Sequence, residues 1–416
     1  MAAGATMRRL VAPVYAPVVV TSIGTGMLIP ILPLALDDAG ASLRTTSIVL
    51  AAAGAGAVLG GLPVGALVER LGERRVLFLA IAVLAISSVA LGSTDTAAAL
   101  IAFRLVSGVA SIGLRLSRQT YVTRRVESAE RGRAMASIGG SFRAGLLIGP
   151  ALGGAIADTA GFTASFVATG AVMALAAVAP LVRPADPPLR SAAEPSGRRR
   201  STTGERDRVT VRRAMVDHRR LLLLAGVVPM LTMTVRDGRF VVLPLIGDGL
   251  GLSPSVVGAV VSVGTAADLV LFPVAGHVMD RFGRLAALLP CFGLIAIGLF
   301  VLALADSTLS VVIAGTIIGV GNGLGSGSLL TLGSDLAPPE QPGPFLAAFG
   351  VLQDLGKVAG PLLVGLVGSL ASLAVAAAVL GGLAVMTAIW MTAVVGETSD
   401  GGGRLVDQFR APGMLA

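Results

Sequence analysis

Long apolar stretches, each ended by charge, proline or glycine, recur from about residue 10 to about residue 395. Apolar runs of about 18 or more residues can cross the ~30 Å hydrocarbon core of a bilayer as helices. The pattern predicts about twelve of them, roughly at 10–36, 45–68, 76–95, 97–122, 134–157, 162–182, 221–247, 254–275, 286–305, 308–332, 344–369 and 372–395. The first follows Arg8 and Arg9, stays apolar for about 26 residues and lacks a small-residue cleavage pattern. It therefore reads as a membrane helix and not as a secretion signal. The one long polar interruption, 183–220, holds Pro184, Pro187, Pro188, Pro195 and the run Arg198-Arg199-Arg200. The expected organisation is an N-terminal six-helix bundle (1–182), a basic cytoplasmic linker (183–220), a C-terminal six-helix bundle (221–396) and a cytoplasmic tail (397–416).

Composition supports this division. The chain is 54% hydrophobic and 13% charged, with a mean hydropathy of +0.85, whereas soluble domains are about 25% charged. An all-α integral membrane protein is the class implied. Arginines collect on alternate loops: Arg8 and Arg9, then Arg70, Arg74 and Arg75, then Arg124, Arg125, Arg131 and Arg133, then the linker, then Arg281 and Arg284, then Arg404 and Arg410. The opposite loops carry Asp37, Asp38, Asp95, Asp158, Asp248 and Asp306, with Arg44 as their one cation. The positive-inside rule places both termini in the cytoplasm, in a multi-pass protein of the plasma (inner) membrane. One cytoplasmic loop, 335–343, breaks the pattern with acids and no base. Cys291 stands alone, and His218 and His277 fall in charged segments, so no disulfide, metal site or cofactor is expected. No nucleotide loop or catalytic cluster suggests an enzyme or an ATP-driven pump. The linker serves as a tether and topology signal with possible contacts to membrane lipids; nucleic acid is not an expected partner, and a monomer is expected.

A repeat at a fixed offset gives the architecture. Ile31–Ser42 aligns without gaps on Val242–Ser253, Gly65–Gly72 on Gly276–Gly283, and Arg143–Pro150 on Asp354–Pro361, each displaced by 211 residues (Pro33 to Pro244, for instance). Two homologous halves of six helices, in parallel orientation, are a common plan for secondary transporters, with substrate bound near the membrane midplane.

Here the sequence resembles the major facilitator superfamily. Gly65–Leu77 is similar to the family's Gly-x-Leu-x-Asp-Arg-x-Gly-Arg-Arg loop motif, with Glu69 in place of Asp and Glu73 where a base is usual, and Gly276–Arg284 is its second copy. Arg104–Gly113 resembles the fourth-helix motif. Gly145–Gly154 matches the fifth-helix Gly-x-x-x-Gly-Pro-x-x-Gly-Gly motif at every fixed position: Gly145, Gly149, Pro150, Gly153 and Gly154. The resemblance implies the twelve-helix fold of two pseudo-symmetric bundles. It also implies a gating contact through Gly65, Glu69, Arg70 and Gly72 and through Gly276, Asp280, Arg281 and Gly283, and drug/proton antiport associated with the fifth-helix motif. The loop Pro338–Phe345 has no arginine of the kind related chains carry.

Charges inside spans name the candidate chemistry. A cation at the centre of a span costs at least ~2.5–3.5 kcal/mol if it faces lipid. Arg104, Gly108, Ser111, Arg115 and Arg118 share one face at helical spacing, so that face should meet water or acids, and Arg104 matches a position linked to proton transfer. Arg143 and Asp354 occupy equivalent places in the two halves, which suggests that they pair; Lys357, the only lysine, is the rival partner for Asp354 at i+3. Asp237, Asp268 and Asp354 are the acids well inside helices, and Asp268 or Asp354 is expected to carry a coupling proton. Arg236, Asp237 and Arg239 lie roughly 24 Å along the seventh span, and Gly238 among them suggests a weakened turn lining a cavity. The substrate cavity is thus assigned Arg143, Arg236, Arg239, Arg115 and Lys357. The function expected is proton-coupled export of lipophilic small molecules by alternating access. The alternatives are transport of small organic anions, or a non-transporting receptor or scaffold.

Overall fold

The computed structural model describes residues 10–182, 216, 218–338 and 342–398, and every regular element among them is helical. The basic run of the linker and the tail beyond 398 lie outside the described residues. In chain order the helices are α1 (Ala16–Asp38), α2 (Leu43–Leu71), α3 (Glu73–Leu91), α4 (Ala97–Arg125), a long helix Ser128–Val182, α7a (Arg219–Ala225), α7b (Val227–Gly249), α8 (Pro254–Phe282), α9 (Arg284–Ala303), α10a (Thr308–Leu324), α10b (Ser328–Leu336), α11 (Pro342–Leu370) and α12 (Leu373–Trp390).

Eleven described stretches are long and apolar enough to cross a membrane. The longest, Ala129–Ala177, has 49 residues, about 74 Å at 1.5 Å per residue and so twice what one crossing needs. It is broken at Gly161, whose φ of 84° and ψ of 167° are non-helical. A side chain would be strained at that φ, which makes this glycine the turn between α5 (128–160) and α6 (162–182). Twelve crossings result, as the apolar pattern predicts.

The chain divides into two compact units. The first takes residues up to Ala41, then Ala52 through the end of α6, and Ser253–Ser262; the second takes Ser42–Ala51, the residues from α7a to Leu252, and Val263 onward. The outer turns of α2 and α8 are therefore each counted with the unit that does not hold the rest of their helix. In the first unit, Ser255 Oγ donates to Asp158, and the Ala151 amide donates to Ser262 Oγ at 3.1 Å. In the second, Gly365 lies against Ser47 and Gly368 against Leu43.

Within each unit the same close approaches recur at the 211-residue offset. A Cβ on Gly145 would strike the Val19 carbonyl and one on Gly149 the Ile23 carbonyl; a Cβ on Gly356 would strike the Met230 carbonyl and one on Gly360 the Thr234 carbonyl. Gly108 meets the Ala53 carbonyl just as Gly319 meets the Gly264 carbonyl. In lipid, helices gain little from apolar burial against each other, so backbone-to-backbone packing through small residues carries the association. The helix 5 motif is used this way in full: Gly153 rests on Met27 and Gly154 on Pro254 and Ser255.

Helix starts follow ordinary capping. Ser307 and Ser310 form a capping box at α10a, and Ser372 accepts from the Val375 amide at 3.2 Å at α12. At α9 the cap comes from far along the chain: Glu397 Oε1 accepts from the Arg284 amide at 2.7 Å and Oε2 from the Leu285 amide at 2.9 Å. A carboxylate on two free amides at a helix N-terminus is favourable in both hydrogen bonding and dipole terms.

Gly149→Val should destabilise the protein by about 1–3 kcal/mol or more, because two backbones must part to admit it. Gly65→Ala, which meets nothing within 4 Å, should be neutral or slightly stabilising. Thermal unfolding of the purified variants in detergent checks both.

Candidate functional site

The second unit gathers ionisable groups around a break in its tenth helix. α10a stops at Leu324, Gly327 adopts φ +83°, and α10b begins at Ser328. The sequence pattern predicts one continuous span at 308–332; the interruption follows from Gly-Leu-Gly-Ser-Gly over 323–327, a composition that punctuates a helix. The freed carbonyl of Gly325 accepts Ser328 Oγ at 2.6 Å and Arg236 Nη2 at 3.3 Å. A Cβ at Gly325 would run into Cys291 Sγ and lie 3.1 Å from Arg236 Nη2, so the arginine reaches the break because no side chain stands there.

Asp268 on α8 lies beside this break, only 8% exposed. Asn322 Nδ2 donates to its Oδ2 at 2.7 Å and Ser326 Oγ to its Oδ1 at 2.6 Å. Both donors are neutral. Arg239, on α7b, is in the electrostatic reach of Asp268, Arg236 and Asp237, and its guanidinium lies 4.6 Å from the Phe240 ring centroid. Asp237 is in reach of Lys357, Arg239, Arg236 and Asp354. Asp354, 4% exposed, is paired with Lys357 Nζ at 2.7 Å, the rival to Arg143 in the sequence reading, at i+3 on the same helix. The expected weak turn at Gly238 is not found: α7b runs unbroken through it. Gly238 instead gives room to Leu380 and the Gly360 carbonyl, and the discontinuity belongs to helix 10.

The first unit holds arginines and, among its described residues, no acid away from helix ends. The expected stripe on α4 is not uniform. Arg118 is 8% exposed and turns to α1, donating to Thr21 Oγ1 and the Pro17 carbonyl. Arg104 is half-buried and Arg115 exposed. Arg143 is half-buried and donates to the Gly139 carbonyl one turn back at 3.2 Å.

The loop motifs place their contacts one step beyond the expected residues. Glu69 and Arg70 are exposed, and among the described residues neither makes an ion pair. Asp280 is 82% exposed, 3.7 Å from Arg284, while Arg281 lies over Phe282 at 5.4 Å. The link to a neighbouring helix is made after the glycine instead. Glu73 takes Arg124 at 3.0 Å and Arg125 at 3.4 Å, and Arg284 grips Asp335 with Nε at 2.9 Å and Nη2 at 3.4 Å. Glu73 and Arg284 are 211 residues apart, as are Arg124 and Asp335. The two halves thus share one clasp with its charges exchanged. That exchange explains the acid standing where a base is usual in the first motif and Asp335 in the loop that breaks the arginine pattern.

Sequence reasoning missed Asn322, Ser326 and Gly325. Their signal was the glycine-rich run inside a span. It missed the clasp because pairs of residues, and not single motifs, had to be compared across the repeat.

Removing the clasp charge should cost more in the second half. Arg284 and Asp335 side chains are 14% and 19% exposed and form a fork, so Arg284→Gln should cost about 1.5–3 kcal/mol. Arg124 is 54% exposed, so a Glu73→Gln/Arg124→Gln double-mutant cycle should give a coupling of about 0.2–1 kcal/mol. Equal losses in thermal denaturation would contradict the ranking.

Comparison with known proteins agrees with this geometry. The chain matches the family model described as Major Facilitator Superfamily over residues 18–361 and 227–408. It is 33% identical over 109 residues to the arabinose-proton symporter of Bacillus subtilis (strain 168), a match spanning 26% of this chain and 22% of that relative. Among solved structures it superposes on the nucleoside transporter NupG with a TM-score of 0.73 at 12% identity, covering 90% of this chain and 98% of that one. A D-xylose-proton symporter gives 0.69 at 16% identity (93% and 98%). The human organic anion transporter MFSD10 (TETRAN) gives 0.67 at 18% identity (93% and 99%).

Proposed function

The chain belongs to the major facilitator superfamily, and on that premise we propose that it is a proton-coupled secondary active transporter working by alternating access, with Asp268 as the proton carrier. The observation that carries this is the buried Asp268 carboxylate held by the neutral donors Asn322 and Ser326. A hydroxyl both donates and accepts. When Asp268 takes a proton, Ser326 Oγ can turn from donor to acceptor of the new O–H. Asp354 is differently placed: protonating it would leave the Lys357 ammonium without its 2.7 Å partner in a low-dielectric setting, which is costly. Asp354 and Lys357 are therefore assigned to a standing ion pair. Asp268 also has Ala57 as its first-half equivalent at the 211-residue offset, so it is not part of the repeated scaffold.

Two substrate readings follow. Export of lipophilic molecules draws on the resemblance of the helix 5 motif to antiporters; but close packing against Val19, Ile23, Met27 and Pro254 accounts for all four glycines. Transport of a small organic anion draws on the arginines of the first unit and is the better supported. The kinship with proton symporters named above supports coupling to protons in either case. The arginine distribution supports placement in the plasma membrane with cytoplasmic termini.

The test uses proteoliposomes with a trapped pH dye, an imposed pH gradient and a panel of lipophilic cations, sugars and organic anions. At least one compound should alter proton flux. Asp268→Asn should abolish that coupling, and Ser326→Ala should weaken it by about tenfold, the worth of one hydrogen bond to a charged group. Unchanged coupling in Asp268→Asn removes Asp268 from the mechanism.

A further inference from the structure

We infer that the first unit binds an anionic phospholipid at the start of α3, with the headgroup phosphate on Arg75 and an acyl chain along the exposed face of the helix below it.

The α3 helix has two faces. Val76, Ala80, Ile81 and Leu84 are buried. Arg75, Leu79, Ala82 and Ile86 follow i, i+4, i+7 and i+11, which is one stripe at helical spacing. Along that stripe Arg75 is exposed, Leu79 is 45% exposed, Ala82 is half-buried and Ile86 is 67% exposed. In a membrane-spanning helix an exposed apolar stripe is covered by acyl chains. From Arg75 to Ile86 the helix rises about 16 Å, which is close to half of the ~30 Å hydrocarbon core. The arginine therefore tops a stripe one leaflet deep, at the level of the phosphates, and its guanidinium fork suits phosphate oxygens.

The charge around Arg75 is selective for a net anion. Residues 69–75 together with 124 and 125 hold five arginines against two glutamates, a net charge of +3. The equivalent places in the second half, residues 280–286 with 335 and 336, hold two arginines against two aspartates, a net charge of zero. The surplus is visible in the contacts. Glu73 is shared between Arg124 at 3.0 Å and Arg125 at 3.4 Å, and the Arg124 side chain stays 54% exposed. One ion pair suffices for the clasp, as Arg284 and Asp335 demonstrate in the other unit, so the additional cations are not demanded by the scaffold. Basic side chains at the membrane surface attract anionic headgroups at a worth of about fivefold in affinity each.

The second unit repeats the stripe without its cation. Ala286 stands where Arg75 does, and Ile297, the equivalent of Ile86, is 52% exposed. Lipid covers both stripes, but only the first offers a guanidinium to the headgroup. A free phosphate would use the arginine alone and gain nothing from Leu79 and Ile86.

Native mass spectrometry of the purified full chain, titrated with phosphatidylglycerol or phosphatidylcholine, tests this. The first phosphatidylglycerol should bind several-fold more tightly than phosphatidylcholine. Arg75→Gln should weaken phosphatidylglycerol binding about fivefold and leave phosphatidylcholine unchanged. Arg281→Gln, the same charge change in the second unit, should leave both unchanged. An equimolar excess of glycerol phosphate over the lipid should not displace it. Size-exclusion profiles confirm that the variants fold. Equal affinity for the two lipids would mean that Arg75 only reaches for water, and overturns the proposal. Equal losses in Arg75→Gln and Arg281→Gln would reduce the effect to net charge, and displacement by glycerol phosphate would make it a free-anion site; either result also overturns it.

Discussion

A charge removed from water must be compensated where it sits. Born-type penalties of several kcal/mol per ion in a low-dielectric interior leave little choice, and the second unit is organised around that constraint. Asp354 meets it with Lys357, Asp237 with the nearby charges of Lys357, Arg239 and Arg236, and Arg236 with a carbonyl freed by a broken helix. Asp268 meets it with two neutral donors. The functional proposal draws on the contrast between the Asp354–Lys357 ion pair and the hydrogen bonds that Asn322 and Ser326 give Asp268.

The repeat separates scaffold from chemistry. Positions that build the backbone frame agree across the 211-residue offset: Gly145 with Gly356, Gly149 with Gly360, Gly108 with Gly319, each seated on an equivalent carbonyl. Positions that carry charge inside the spans do not agree. Thr25 stands where Arg236 does, Ala57 where Asp268 does, and Arg115 where Ser326 does. Even the cytoplasmic clasp, which keeps its geometry, exchanges its signs between Glu73–Arg124 and Arg284–Asp335. An ion pair tolerates exchange of its members, whereas a glycine pressed on a carbonyl tolerates nothing larger.

Most of the fold was legible because lipid forces long apolar helices, and their ends are marked by charge, proline or glycine. Gly161 and Gly72 fall where the pattern expects turns, and both have positive φ. The Asp354–Lys357 pair was legible only as an i, i+3 alternative to the pairing of Asp354 with Arg143. The site around Asp268 was legible only in its acid, because Asn322, Ser326 and Gly325 act through a helix break that apolar periodicity cannot register. Gly238 misled for the complementary reason: a glycine among charges reads as a weak turn, but here the space it leaves is filled by Leu380. Contacts between sequence-distant helices, such as Glu397 on the first turn of α9, have no local signal at all.

Infrared difference spectroscopy of the reconstituted protein through a pH step, in the absence of substrate, tests the central claim most directly. The carboxylic acid C=O stretch that appears on acidification should be lost in Asp268→Asn and retained in Asp354→Asn. A band that survives in Asp268→Asn and disappears in Asp354→Asn would contradict the account.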